Sequence, residues 1–253
     1  MAEKNKNKRS SNAPWSDTEL QISVDAYLFL LRLEAAAVPF SAMEQEKQLS
    51  SGPLANRNEA SVRYRLRNIS HVLEERGETP LSAYSAAPQV GKNVKARIQK
   101  LLDERESTLR SVRQLGMAND SGVVDLRDVL AGLNQLRDMI SSLKHEPQVI
   151  AGIGHNNPPE DIVIGVEDYS EAIEAISHIE DAVKGDTPDI SVVASSTSIL
   201  VKLGMKSALW LGQRLTDFAK AGAIAAGTSA GLSLSGIGGK IVEALQQVFA
   251  YLF

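Results

Sequence analysis

The sequence predicts an all-α protein, an N-terminal helical domain joined to a C-terminal helical hairpin or bundle. Aromatic residues make up only 5% of the chain while hydrophobic residues reach 43%, so the interior must be built from Ala, Leu, Val and Ile, a composition suited to packed helices. Several stretches repeat apolar residues at alternating spacings of three and four, and strand-like alternation is sparse. No internal repeat of the 20–50 residue class is visible.

Taken in order, residues 1–13 are polar and basic and read as a disordered, solvated arm. They contain no apolar h-region, so no signal peptide is expected and a cytoplasmic chain is. Ser16 with Glu19 three residues on makes a capping box ahead of a helix over 17–36. A short helix is expected near 41–49, then a break at Ser51-Gly52-Pro53. A second strong helix covers 58–76, with Val62, Leu66, Ile69 and Leu73 as its buried stripe. Residues 78–90 form a loop, and periodicity carries a third helix from Gly91 to 113 and a fourth over 123–143.

The composition then changes. The run 151–160 holds two glycines, two asparagines and Pro158-Pro159, which excludes a continuous helix and marks a domain boundary. An acidic helix follows over 167–184. Thr187 as cap with Pro188 at the first helical position predicts another helix from there to about 220. The expected organisation is a basic arm (1–13), a helical recognition module (14–115), a connecting helix (116–148), a Gly/Asn/Pro loop (149–164) and an acidic, then apolar, helical domain (165–253).

Charge divides the chain as well. Residues 1–113 carry 18 Lys and Arg against 14 Asp and Glu, a net +4, which leaves −8 on the remainder of a chain whose net charge is −4. The basic half is compatible with nucleic acid. Cysteine is absent and histidines number four, so thiol chemistry is excluded, a reducing compartment is natural, and no metal site or cofactor is expected.

With the stripe of the 58–76 helix facing a core, Arg63, Tyr64, Arg65, Arg67 and Asn68 are expected on its solvent side, Arg57 standing just before it. Guanidinium groups one turn apart suit phosphates or a base edge, and Tyr64 and Asn68 add hydrogen-bonding groups. The plain alternative is a solvated face whose arginines pair with Glu59, Glu74 and Glu75.

The run Pro14-Trp15-Ser16-x-x-Glu19-Leu20, Val24-x-x-Tyr27-x-x-x-Leu31, Ser61-Val62-Arg63-Tyr64-Arg65-Leu66-Arg67-Asn68-Ile69-Ser70-x-Val72-Leu73 and Val90-Gly91-x-Asn93-Val94 resembles the helical N-terminal module that precedes the catalytic domain of some bacterial HNH-type endonucleases. The resemblance spans about residues 13–105. It implies a recognition or targeting part, with Arg63, Arg65, Arg67 and Asn68 as candidate DNA contacts. Arg63 and Arg67 stand where acidic or amide residues are common in that family, which implies a more basic surface and a different target. The nuclease does not carry over: an HNH site needs a histidine base beside a metal held by His, Asn or Asp, commonly in a fold braced by two Cys pairs, and this chain has no Cys, no His-His pair and no histidine following His155-Asn156-Asn157 at the required distance. A non-enzymatic protein with no small-molecule substrate is expected. The loop Gly152 to Glu160 is similar to a segment of uncharacterised alphaproteobacterial and mobile-element proteins; it reads as a turn or peptide-docking loop, against a catalytic alternative with His155 as base and Glu160 as orienter.

Residues 221–239 hold no charge over 19 positions, the length at which a membrane span is considered, yet they contain six Gly, five Ala and only four large apolar residues. Small residues recur every fourth position, among them Ala223, Gly227, Gly231, Ser235 and Gly239, a spacing that lets helices approach closely in lipid or in a soluble hairpin. Ile241, Val242, Leu245, Val248, Phe249 and Leu252 form an apolar stripe behind them. Two functions are therefore expected as alternatives. One is a non-enzymatic protein that binds duplex DNA weakly through phosphates and self-associates as a homo-oligomer through its C-terminal helices. The other is a membrane-associated effector, of a defence or phage-lysis kind, peripheral to or inserted in the inner membrane through residues 190–253.

Overall fold

A computed structural model describes residues 13–118, 124–145, 164–221 and 229–253. All regular structure among these residues is helical. The helices are α1 (Asp17–Ala35), α2 (Ala42–Ser51), α3 (Glu59–Glu75), α4 (Lys92–Asp103), α5 (Glu106–Ala118), α6 (Leu126–His145), α7 (Val166–Lys184), α8 (Ile190–Ala221) and α9 (Ser229–Leu252).

Side-chain caps start the first three helices, that of α1 as the sequence predicts. Ser16 N donates to Glu19 Oε2 at 2.8 Å and Glu19 N to Ser16 Oγ at 3.1 Å, closing the capping box of α1. Ser41 and Asn58 accept from the third residue beyond them and cap α2 and α3. The stripe Val62, Leu66, Ile69 and Leu73 is fully buried.

Two boundaries differ from the expectation. The single helix predicted over 91–113 is broken at Glu104 and Arg105, which form a turn between α4 and α5. Arg105 is turned inward there, and its Nε and Nη2 donate to both carboxylate oxygens of buried Asp25, a pairing that apolar periodicity does not report. The helix predicted to start at Thr187-Pro188 begins at Ile190, because Asp189 is the cap: its Oδ1 accepts from Ser191 N at 3.0 Å and Val192 N at 3.1 Å.

The chain packs as two compact units, Met1–Tyr27 with Ser41–Glu106, and Leu28–Phe40 with Ser107–Phe253. Helix α1 contributes to both. Every residue from Leu20 to Leu31 is buried, as suits a segment apolar nearly all round its axis. In the first unit α3 packs on α2 and α4. The loop 78–90 is fixed to this frame through Leu81, Tyr84 and Ala87, all buried.

In the second unit α6 to α9 form a ring of neighbours, α6 against α7 and α9, and α8 against the same two. Helix α6, read from the sequence as a connecting helix, is thus one wall of this bundle. Its core draws on Val129, Leu133, Leu136 and Ile140 from α6, Ala172, Ile176 and Ile179 from α7, Leu200 and Leu209 from α8, and Ile241, Leu245 and Val248 from α9. Phe29 lies where a Cβ on Gly204 would meet its ring at 2.5 Å and one on Gly238 would meet it at 3.9 Å, so α8 and α9 are glycine at the positions the ring fills. The boundary expected at 149–164 falls almost wholly outside the described residues.

Candidate nucleic-acid interface

The six residues predicted to contact DNA divide into an internal set and an outer set. Arg57 is 3% exposed and its donors are committed: Nε and Nη2 go to the two oxygens of Glu19 at 2.7 and 2.8 Å, Nη1 to Ala13 O at 2.7 Å and Nη2 to Pro14 O at 2.9 Å. It ties the chain ahead of α1 to the turn ahead of α3. Burial pulls the Glu19 carboxyl up, but the Arg57 hydrogen bond, the Ser16 N–H and the Arg57 charge outweigh burial and hold it below its ordinary value.

Arg65 and Asn68, expected on the solvent side of the helix, are buried. The stripe Val62, Leu66, Ile69 and Leu73 does not use up the covered arc of α3, because Trp15 and the 78–90 loop lie over the adjoining positions. Asn68 donates to Ala87 O at 2.9 Å and accepts from Arg65 Nη1 at 3.2 Å. Arg65 places its guanidinium carbon 4.6 Å from the Trp15 ring centroid, beside Arg57 at 4.7 Å from the same ring. Burial, with the neighbouring charge of Arg57, lowers its pKa to about 10.

The outer set is Arg63 and Tyr64, both exposed, and Arg67, half-buried, at i, i+1 and i+4 on α3. The Arg63 side chain is 51% exposed and its Nη2 lies 2.5 Å from Oε2 of Glu46, whose side chain is buried. That hydrogen bond and charge raise the Arg63 pKa above its ordinary value. Tyr64, 40% exposed, donates to Gln89 O at 3.0 Å, and Arg67 Nε donates to Ser85 O at 2.8 Å. The arginines therefore do not pair with Glu59 and Glu74 as the plain alternative supposed; Glu75 is engaged by Lys95 at 2.6 Å.

The motif that carries the endonuclease resemblance is, in this chain, largely framework. Asn68 and the Arg67 backbone O hold Ala87, the latter accepting from Ala87 N at 3.0 Å. Ser70 Oγ hydrogen-bonds Tyr27 Oη at 2.9 Å, and Tyr27 Oη accepts from Leu81 N at 2.7 Å. Ile69, Val72 and Leu73 are fully buried. Missed in the sequence was Arg97, which brings α4 to the same place: its Nη1 donates to Trp15 O at 3.0 Å and its Nη2 lies 2.6 Å from Asp17.

Of the residues predicted for self-association, Ala223 and Gly227 lie outside the described residues, and Gly231 and Ser235 fall on a part of α9 described for its backbone alone. Gly239 is described, and its approach is within the chain: a Cβ there would sit 3.0 Å from Arg32 Nη2 on α1. Of the stripe Ile241, Val242, Leu245, Val248, Phe249 and Leu252, the first four are buried inside the bundle, while Phe249 and Leu252 are half-buried. His155 and Glu160 lie outside the described residues. Among the described residues no three His, Asp or Glu side chains group as metal ligands. One helical stretch, Ile190–Gln213, is long and apolar enough to cross a membrane, with a mean hydropathy of 1.2 and about half of it buried within the protein.

No family model, no curated protein and no solved structure matches the chain.

Proposed function

We propose that this is a non-catalytic helical binding protein whose first unit docks on the phosphates of duplex DNA through Arg63, Tyr64 and Arg67, and whose C-terminal helices join copies of the chain. The observation that carries the reading is the placement of these three residues on one solvent-facing edge of α3 while the opposite stripe is sealed in the core. Arg57, Arg65 and Asn68 belong to the frame that presents the edge. Because Glu46 already compensates Arg63, the contact is weak and phosphate-dominated. The resemblance to the endonuclease module points the same way and covers the same unit.

The test is binding of the full chain to a labelled duplex across a salt series. Affinity falls steeply with salt as counterions are released, and Arg63→Ala with Arg67→Ala lowers both the affinity and the steepness by about one to two phosphate contacts. A double variant that binds like the parent sinks the proposal. Incubation with magnesium, manganese or zinc leaves the duplex intact; metal-dependent nicking abolished by His155→Ala reverses the non-catalytic reading.

A second reading is favoured by α8, whose Ile190–Gln213 stretch has the length and hydropathy of a span. In that reading residues 190–253 act on a bilayer. Within the protein the same helix carries Lys206, 2.6 Å from Asp168 on α7, and buried Ser196, Thr197 and Ser207, features of a helix packed against protein. Flotation with anionic liposomes distinguishes the readings: cofloating protein supports the membrane role, and protein left at the bottom with intact DNA binding supports the first.

A further inference from the structure

We infer that Arg65 and Arg97, gathered at Trp15 in the first unit, form a binding site for a single phosphate group.

Arg57, Arg65 and Arg97 converge on residues 13–17. Arg57 is matched bidentately by Glu19, and Arg97 is held by Asp17. Among the described residues Arg65 has no carboxylate within ion-pair distance, although it is 92% buried, and its Nη1 donates to the neutral side-chain amide of Asn68. Its Nε is enclosed and has no hydrogen-bond partner. A buried guanidinium compensated only by the Trp15 face and by charges it does not pair with directly is costly beside two other cations, since burial, Arg57 and Arg97 all act to weaken its hold on the proton. One oxyanion would relieve it.

The second donor is already poised. Asp17 is 90% exposed, so its pair with Arg97 is a surface pair of small net strength, and the Arg97 side chain, 34% exposed, can exchange that partner for a phosphate reached jointly with Arg65. Two guanidinium forks suit the several acceptor oxygens of a phosphate. Arg57 is not available, being committed to Glu19 and two carbonyls. The phosphate can be free or part of a nucleic-acid backbone. Only in the second case does the site rest on the DNA reading, adding one contact behind the edge formed by Arg63 and Arg67.

The test uses the full chain carrying Trp210→Phe, so that Trp15 is the remaining tryptophan reporter of the two in the sequence. Inorganic phosphate is titrated against chloride at equal ionic strength, following Trp15 emission and the thermal midpoint. The expected result is a saturable change with phosphate that chloride does not give, weakened about tenfold or more in Arg97→Gln, the loss of one charge-assisted contact. Arg65→Met, which keeps the packed stem, abolishes it. If Arg65→Met does not fold by circular dichroism, Arg97→Gln decides alone. No saturable difference between the anions, or equal affinity in a folded variant, overturns the site. In the DNA arm, Arg63→Ala with Arg67→Ala retains inorganic phosphate binding. Failure of the parent to bind duplex while it still binds phosphate removes the DNA reading and leaves the site standing, as a site for free phosphate.

Discussion

Individual residues in the first unit show how burial turns apparent contact groups into framework. Arg57 looks in the sequence like a free cation ahead of a basic helix, yet it bridges Glu19 and the carbonyls of Ala13 and Pro14. Arg57→Ala should therefore destabilise the fold by about 3 kcal/mol, since it strands a largely buried carboxylate and two acceptors. Urea unfolding measures this, and a loss below about 1 kcal/mol would mean the clamp is dispensable. Asp25 supplies a pH dependence. Burial pushes its carboxyl up to about 6, against the hydrogen bond and charge of Arg105 and a hydrogen bond from Gln21, with Glu104 adding a small upward push. Between roughly pH 4 and 6 the folded protein holds a proton that the unfolded chain has released, so the Asp25 contribution to stability declines as pH rises through that window. Glu19 acts in the opposite sense at lower pH: its folded pKa is depressed, so its contribution is lost as pH falls below the ordinary 4.5 through the folded value. Unfolding free energies from pH 4 to 7 should show Asp25→Asn removing a decline on the order of 2 kcal/mol. Parallel profiles for parent and variant would mean that Asp25 does not titrate in that window.

At the scale of elements, what the sequence made legible was whatever local chemistry decides. The Ser16–Glu19 box, the stripe of α3 and the acidic α7 all follow from spacing along one segment. What stayed hidden depends on partners distant in the chain. Arg105 finds Asp25 eighty residues away and interrupts a helix whose periodicity runs on. Arg65 and Asn68 read as solvent-facing because nothing in α3 announces that Trp15 and the 78–90 loop will cover them. Glycine within helices is similar: Gly204 costs about 1 kcal/mol of helix propensity relative to Ala, and only Phe29 explains it. Gly204→Ala would place a Cβ 2.5 Å from Phe29 Cζ, and that ring is 2% exposed with little room to move. The overpacking penalty of about 1–3 kcal/mol exceeds the propensity gain, so the thermal midpoint should fall. A rise would show that Phe29 repacks freely.

For the molecule as a whole, the question is what joins copies of the chain if the C-terminal helices assemble. Ile241, Val242, Leu245 and Val248 of the α9 stripe are buried among neighbours in its own bundle, leaving only Phe249 and Leu252 half-buried, and Gly239 lies against Arg32 of the same chain. Neither those four side chains nor Gly239 is left to drive association. Assembly then depends on the remaining small residues of the uncharged segment, Gly227 and Gly231 in particular, where a second helix could approach backbone to backbone. Gly227→Leu with Gly231→Leu should lower the mass measured by light scattering towards that of one 27.3 kDa chain. Because Ile241, Leu245 and Val248 are buried within one chain, the dissociated variant should stay folded, and the parent's thermal midpoint should vary little with protein concentration, unlike an obligate dimer whose folding is linked to association by mass action. A parent that is monomeric both in dilute buffer and in detergent removes the assembly role. A midpoint that climbs steeply with concentration would show instead that the partner chain completes the core, and that the burial of Ile241, Leu245 and Val248 within one chain is insufficient to hold the fold.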